Sequence, residues 1–145
     1  MILNVKKNST NARLPVRATE GSAGLDLFAC IDGPVTILAG DSVLIPTGIS
    51  IELPENSVGL VFGRSGHGIK HGIVLSNSVG VIDSDYRGEV KVGLRNLSGQ
   101  SYTVNPDERI AQLVVTPIMK PEPVEVSELD QTGRGAGGFG STGRV

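Results

Sequence analysis

The chain has 145 residues and a formal net charge of −2, with 13 Lys and Arg against 15 Asp and Glu. That length makes one domain with room for a real core, and the charge argues against a protein that wraps nucleic acid, leaving only local basic sites open. Cys30 stands alone, which excludes a disulfide framework, and no apolar run approaches the roughly 18 residues of a membrane span.

The start, Met1-Ile-Leu-Asn-Val-Lys-Lys7, has no basic-then-apolar leader pattern, so a cytoplasmic location is expected. Ala23-Gly-Leu-Asp-Leu27 is strand-like, with Asp26 on the face opposite both leucines. It is either a solvent-facing Asp or a carboxylate near a hydrated cation, since hard divalent ions prefer oxygen and keep waters. Val35-Thr-Ile37, Ile49-Ser-Ile-Glu-Leu53 and Val58-Gly-Leu60 alternate with period 2. Gly63-Arg-Ser-Gly66 then opens the best helix candidate, Ser65–His71, with Ser65 as N-cap and Gly72 as stop. Free amides at that helix start, together with the Arg64 guanidinium, would make an anion site. His67 and His71 have the i, i+4 spacing of a zinc pair, but no third ligand is spaced to join them, so surface histidines are expected.

Gly80-Val-Ile-Asp-Ser-Asp-Tyr-Arg-Gly88 leads into the alternating run Glu89–Arg95, whose Val90, Val92 and Leu94 share a face. A β-hairpin is expected there, with Asp83 opening its turn near apolar groups. A partly desolvated carboxylate suits a general base for water, although Asp and Ser also serve ordinary turns. Tyr86 offers a flat face beside it. Tyr102-Thr-Val104 is another short strand. In Arg109-Ile-Ala-Gln-Leu-Val-Val115, strand geometry puts Gln112 on the face of Ile110 and Val114, either as a core amide satisfied by backbone or as a donor aimed at a ligand. Lys120-Pro-Glu-Pro123 reads as an extended connector. Turn signals at Asp32-Gly33, Ala39-Gly40-Asp41, Pro54-Glu-Asn56, Ser98-Gly99 and Asn105-Pro106 punctuate these strands. The fold class expected is all-β, a β-sandwich or barrel with one short helix.

The last stretch, Thr132 to Arg144, has glycines at 133, 135, 137, 138, 140 and 143. So many glycines resist ordering in a core, yet Arg134 and Phe139 sit among them. That suggests a flap that orders over something flat that carries phosphate. Gly135-x-Gly137-x-x-Gly140 copies the dinucleotide pattern without the strand and helix that give it meaning. Taken together, the cationic groups, one candidate base, Asp26 and two stacking aromatics suit a nucleoside polyphosphate with magnesium.

These residues closely resemble the trimeric dUTPase family. Five motifs stand in family order: Ala23-Gly-Leu-Asp26, Arg64-Ser-Gly66, Gly80-Val-Ile-Asp-Ser-Asp-Tyr86, Arg109-Ile-Ala-Gln112 and Arg134-Gly-x-Gly-Gly-Phe-Gly-Ser-Thr142. The resemblance implies a jelly-roll domain over residues 1–131, a flap over 132–145, and a homotrimer in which the arm of one subunit completes a neighbour's active site. It implies Mg²⁺-dependent hydrolysis of dUTP to dUMP and pyrophosphate, which keeps uracil out of DNA and supplies dUMP for thymidylate synthesis. Neither a nucleic-acid nor a membrane partner is implied.

Carried over by motif, Asp83 resembles the base that activates water for attack on the α-phosphate. Asn77, Gly80, Val81, Ile82 and Asp83 resemble the segment that reads uracil, Tyr86 the residue beneath the deoxyribose, and Phe139 the lid on the base. Arg64, Ser65, Gly66, Gln112, Arg134, Ser141 and Thr142 resemble the phosphate binders. Asp26 resembles the acid that holds Mg²⁺ through water. Gly63 departs from the usual family proline, and His67 from the usual aliphatic residue. A dCTP deaminase on the same fold would need a catalytic glutamate at the base and lacks the complete Phe-Gly-Ser-Thr tail. A purely regulatory module usually brings an inserted segment, for which 145 residues leave no room.

Overall fold

The computed structural model describes residues 2–138; Phe139, Ser141 and Thr142 lie outside them. Ten strands and one helix follow the order β1 (Asn4–Lys7), β2 (Leu25–Phe28), β3 (Val35–Ile37), β4 (Ser42–Glu52), β5 (Ser57–Phe62), α1 (Ser65–His71), β6 (Ile73–Leu75), β7 (Gly80–Ile82), β8 (Glu89–Asn96), β9 (Tyr102–Val104) and β10 (Arg109–Pro117). One four-stranded sheet runs β1-β4-β8-β6, a second runs β2-β10-β5-β7, and β3-β9 form a ribbon. Every pairing is antiparallel. Two four-stranded antiparallel sheets make the expected jelly-roll-like all-β domain. No helix among the described residues is long and apolar enough to cross a membrane.

The period-2 expectation is met most clearly in β8. Val90, Val92 and Leu94 are buried while Lys91 and Arg95 are exposed. They join Leu27, Ile45, Ile49, Ile51, Val61, Ile73, Leu75, Val104, Ile110 and Leu113 in a core that is almost wholly aliphatic. A chain with five aromatics must fill its interior with Val, Ile and Leu, each contributing about 1.5–3 kcal/mol on burial.

Three local expectations are corrected. Gly80–Ile82 does not form a hairpin with Glu89–Asn96: β7 pairs with β5 in one sheet, and β8 pairs with β4 and β6 in the other. Residues 83–88 therefore cross between sheets. Ser65 is not the N-cap. Arg64 holds that place in extended conformation with no side-chain cap, and Ser65 is the first helical residue. The stop is as expected, because Gly72 takes the left-handed conformation at φ 66° that a β-carbon disfavours. Finally, a bulge between Arg109 and Ala111 breaks the alternation of β10. Ile110, Ala111 and Leu113 all face the core, and Gln112 is only half-buried. The strands β1 (Asn-Val-Lys-Lys) and β6 (Ile-Val-Leu) lack a clean apolar–polar alternation and so do not stand out by period.

Candidate active site

Two clefts hold residues of the first four motifs, and no residue lines both. The smaller, about 230 Å³, is lined by Ala18, Ser22, Gly24, Asp26, Arg64, Ser65, Gly66 and Gln112. Strand pairing brings these together: Gln112 on β10 stands opposite both Asp26 on β2 and Phe62 on β5. β5 then delivers the chain to Gly63, Arg64 and the start of α1. A β-carbon on Gly24 would lie 2.6 Å from the Gln112 side-chain oxygen, so only glycine leaves space for that amide. Gln112 donates one N–H to the Gly63 carbonyl at 3.0 Å. Its second N–H remains for a ligand. The same bond pins the carbonyl of Gly63 at the position where the family proline is missing.

Asp26 is not solvent-facing. It is 7% exposed, and its carboxylate sits between two arginines. Arg64 donates Nε–H to Oδ1 at 3.0 Å, and Arg109 donates from Nη1 to Oδ2 at 3.2 Å. Arg64 also donates to the Arg109 carbonyl at 3.2 Å. Two guanidinium groups around one carboxylate leave a net positive site suited to phosphate. Arg109 was part of a quoted motif, but its clamp on Asp26 was missed, because residues 83 positions apart show no local signal. Replacing Asp26 with Asn would set an amide NH₂ against an arginine donor. Stability should fall by about 1–3 kcal/mol in urea denaturation, at the low end because both arginines remain partly exposed.

The larger cleft, about 470 Å³, includes Leu75, Asn77, Gly80, Val81, Ile82, Asp83, Tyr86, Val90 and Val92. It opens where the edge strands β6 and β7 part toward different sheets. β7 bonds to β5 on one side only, so its outer edge offers unpaired N–H and C=O groups. Asp83 is exposed on this chain, so the expected partial desolvation is not supplied by these residues alone. Its backbone carbonyl accepts the Tyr86 N–H at 3.2 Å, the turn role weighed from sequence. Tyr86 donates its hydroxyl to the Glu89 carbonyl at 3.0 Å, and its ring lies over Gly88, where a β-carbon would collide with it. Arg134 lines neither cleft; its Nε–H donates to the Gly137 carbonyl at 2.7 Å.

The helix that follows Arg64 holds a second surprise. His67 is 8% exposed rather than on the surface. Its Nε2 is 2.9 Å from Glu108 Oε1, and its ring meets Tyr102 edge-on at 5.7 Å. Glu108 also accepts from the Tyr102 hydroxyl and, at 2.9 Å, from the Asn105 N–H. Burial alone would raise the Glu108 pKa, but these three donors outweigh it and hold the carboxyl below its ordinary value. Burial and the Glu108 carboxylate push the Tyr102 hydroxyl upward, against the opposing charge of Arg64. A depressed carboxyl adds stability above its unfolded pKa, and that stability is lost as pH falls through the folded value. The melting temperature of the wild type should therefore drop more steeply below pH 4.5 than that of Glu108→Gln, as calorimetry would show.

His67 and His71 have ring centroids 6.5 Å apart, and no group of three or more His, Cys, Asp or Glu able to hold a metal occurs among the described residues. A caged Mg²⁺ would need such a set. A hydrated Mg²⁺ carried on a polyphosphate needs only an outer acceptor, and Asp26 fits that part, since each of its oxygens has one lone pair left beyond its arginine bond.

The dUTPase family profile matches residues 10–143. The chain is 52% identical to a deoxyuridine 5′-triphosphate nucleotidohydrolase of Psychrobacter arcticus, over 99% of this chain and 95% of that protein. It is equally 52% identical to one of Burkholderia multivorans, over 90% and 89%. Among solved structures, a mutant dUTPase of Staphylococcus bacteriophage 80alpha with dUpNHpp superposes with a TM-score of 0.89 at 31% identity, covering 98% of both chains. A mutant dUTPase of phage phi11 of S. aureus, described as coordinating a structural Mg(II) ion, gives 0.82 at 27% identity over 90% of this chain and all of that one. With residues of four of its five motifs lining two clefts of a jelly-roll domain, and the family profile matching residues 10–143, the chain belongs to the dUTPase family.

Proposed function

We infer that this chain hydrolyses dUTP to dUMP and pyrophosphate. The observation that carries the reading is the gathering of Asp26, Arg64, Ser65, Gly66 and Gln112 in one cleft while Asn77 to Tyr86 build another. The outer edge of β7 supplies main-chain donors and acceptors for the uracil edge, and Asn77 adds an amide. Cytosine presents the opposite donor pattern there, and polar mismatch discriminates strongly. Tyr86, fixed by Glu89, packs beneath the sugar and leaves no space for a 2′-hydroxyl.

Asp83 orients a water and accepts its proton as the oxygen attacks the α-phosphorus. The bond from that phosphorus to the α,β-bridging oxygen breaks, and pyrophosphate leaves. Charge that builds on the phosphate oxygens is met by Arg64, the Ser65 hydroxyl, the Gly66 amide and the second Gln112 N–H. Mg²⁺, when bound with the triphosphate, neutralises its charge and orders it, with Asp26 as the outer acceptor.

The domain proper is residues 1–131, and residues 132–145 act as a flap. In this reading the phosphate cleft, the base cleft and the flap of one working site come from different subunits of a homotrimer. Clefts with no common lining residue, and an Arg134 that lines neither, support that arrangement. Phe139, Ser141 and Thr142 of the flap would cover the base and the γ-phosphate. Sedimentation should give three subunits, and an active monomer would contradict the shared site. The reaction itself is tested by incubating the protein and Mg²⁺ with dUTP, dTTP, dCTP or UTP. The expected result is dUMP and pyrophosphate from dUTP alone; deamination of dCTP would overturn the reading.

A further inference from the structure

We propose that His67 is a positioning residue that sets the phosphate cleft by tying the start of α1 to the turn before β10. Its bond to Glu108 joins two segments 41 residues apart. On one side, His67 follows Arg64, Ser65 and Gly66 within a single turn of helix. On the other, Glu108 directly precedes Arg109, the second arginine on Asp26. This part-buried bond acts alongside the Asp26 clamp and the Arg64 bond to the Arg109 carbonyl in setting the separation of the two guanidinium groups that frame the cleft.

The arrangement is built rather than incidental. Glu108 is held in place independently by Tyr102 and by the Asn105 N–H. The turn beneath it is anchored to β2 and the chain after it, because the Glu108 carbonyl accepts the Ala29 N–H at 2.8 Å and the Asp107 N–H reaches the Ala29 carbonyl at 3.0 Å. α1 is anchored only at its ends, by Arg64 before it and by the Gly72 carbonyl, which accepts the Leu97 N–H at 2.8 Å. It spans 7 residues, includes Gly66 and Gly68, and has no side-chain N-cap. A helix this short and poor in propensity is held by tertiary contact rather than by itself. Ile69 on its outer face is 87% exposed, and His67 is its one buried residue. The polar bond of His67 is thus the contact that holds the body of the helix between its two anchored ends.

The bond also makes the cleft sensitive to the charge of His67. The groups facing the imidazole are Glu108 and Tyr102 from the β9–β10 side and His71 from its own helix, with Lys70 beside His71 at the surface. Arg64 acts on Tyr102 through space. A protonated His67 makes a charge-assisted bond to the Glu108 carboxylate, and a neutral one makes a weaker bond. A protonated imidazole therefore holds the cleft more firmly than a neutral one, and polyphosphate binding should tighten as pH is lowered.

This inference rests on the dUTPase reading, and its test separates the two. The whole protein is titrated calorimetrically with dUpNHpp and Mg²⁺ from pH 5.5 to 8.5, as wild type, His67→Leu and His67→Gln, and KM and kcat for dUTP are measured beside it. Failure of the wild type to bind dUpNHpp would sink the family function, not this inference. Leu keeps the apolar bulk and loses the bond, so affinity should fall roughly tenfold and KM rise to match, with kcat changed less. Gln can still donate to Glu108 and should restore most of the affinity, but with the extra pH dependence of the wild type removed. The titration of the ligand's own γ-phosphate is common to all three and cancels. Equal affinity in all three proteins, or a Gln variant as weak as Leu, would overturn the proposal. Should Leu fail to fold, the pH profile of the Gln variant decides: a profile unchanged from wild type overturns it.

Discussion

Asp83→Asn should lower kcat for dUTP by about 10²–10⁴-fold and leave affinity for dUpNHpp close to that of the wild type. That range is what a positioned general base contributes. The substitution keeps the shape of the side chain and its backbone bond to Tyr86, which uses only the Asp83 carbonyl. In the proposed reading, what is lost is the negative oxygen that takes the proton from water. Asp83 is exposed on the single chain, so in the proposed reading its environment is completed by substrate and by a neighbouring subunit. Single-turnover measurement with labelled dUTP separates chemistry from product release. Near-native turnover in the Asn variant would remove Asp83 as the base.

Ending the chain after Gly133 should cut kcat by about a hundredfold or more while sparing the fold and the assembly. The core is complete by the end of β10 at Pro117, and residues 119–136 are exposed throughout. Nothing in the interior depends on them. The truncation removes Arg134, Phe139, Ser141 and Thr142 together, which in the proposed reading supply several donors to developing phosphate charge and the cover over the base. Loss of one such donor alone costs about 10²-fold or more in other hydrolytic sites. Circular dichroism and sedimentation should match the full chain. An unchanged kcat would mean that residues 134–145 take no part in the reaction.

Much of the fold was legible because its signals are local. Glu89–Arg95 alternates without a break, and its buried and exposed positions fall as the period requires. Ser65–His71 could be placed because Gly72 stops it with a left-handed residue. The hairpin expected at Gly80–Arg95 failed for a reason that lies outside any window of sequence. Strand length and alternation say that β7 and β8 are strands, but not which neighbours they pair with. Gln112 and Val114 share a face as expected, but Ile110 does not join them, since the bulge at Arg109–Ala111 adds a residue that the two-residue period does not count.

The candidate site divides along the same line. Each motif was visible as a chemical inventory, and the structure gathers five of its residues into one cleft and six into another. The clamp of Arg64 and Arg109 on Asp26, and the burial of His67 against Glu108, were not visible. These contacts join residues 38, 83 and 41 positions apart. Residue type and spacing by themselves determined the class of fold, the phosphate chemistry and the family, because period, turn residues and motif identity are written within a few neighbouring positions. The pairing of sheets decided the rest. Only when β2, β5 and β10 lie side by side do an exposed-looking aspartate become buried between two arginines and a surface-looking histidine become the tether of a helix.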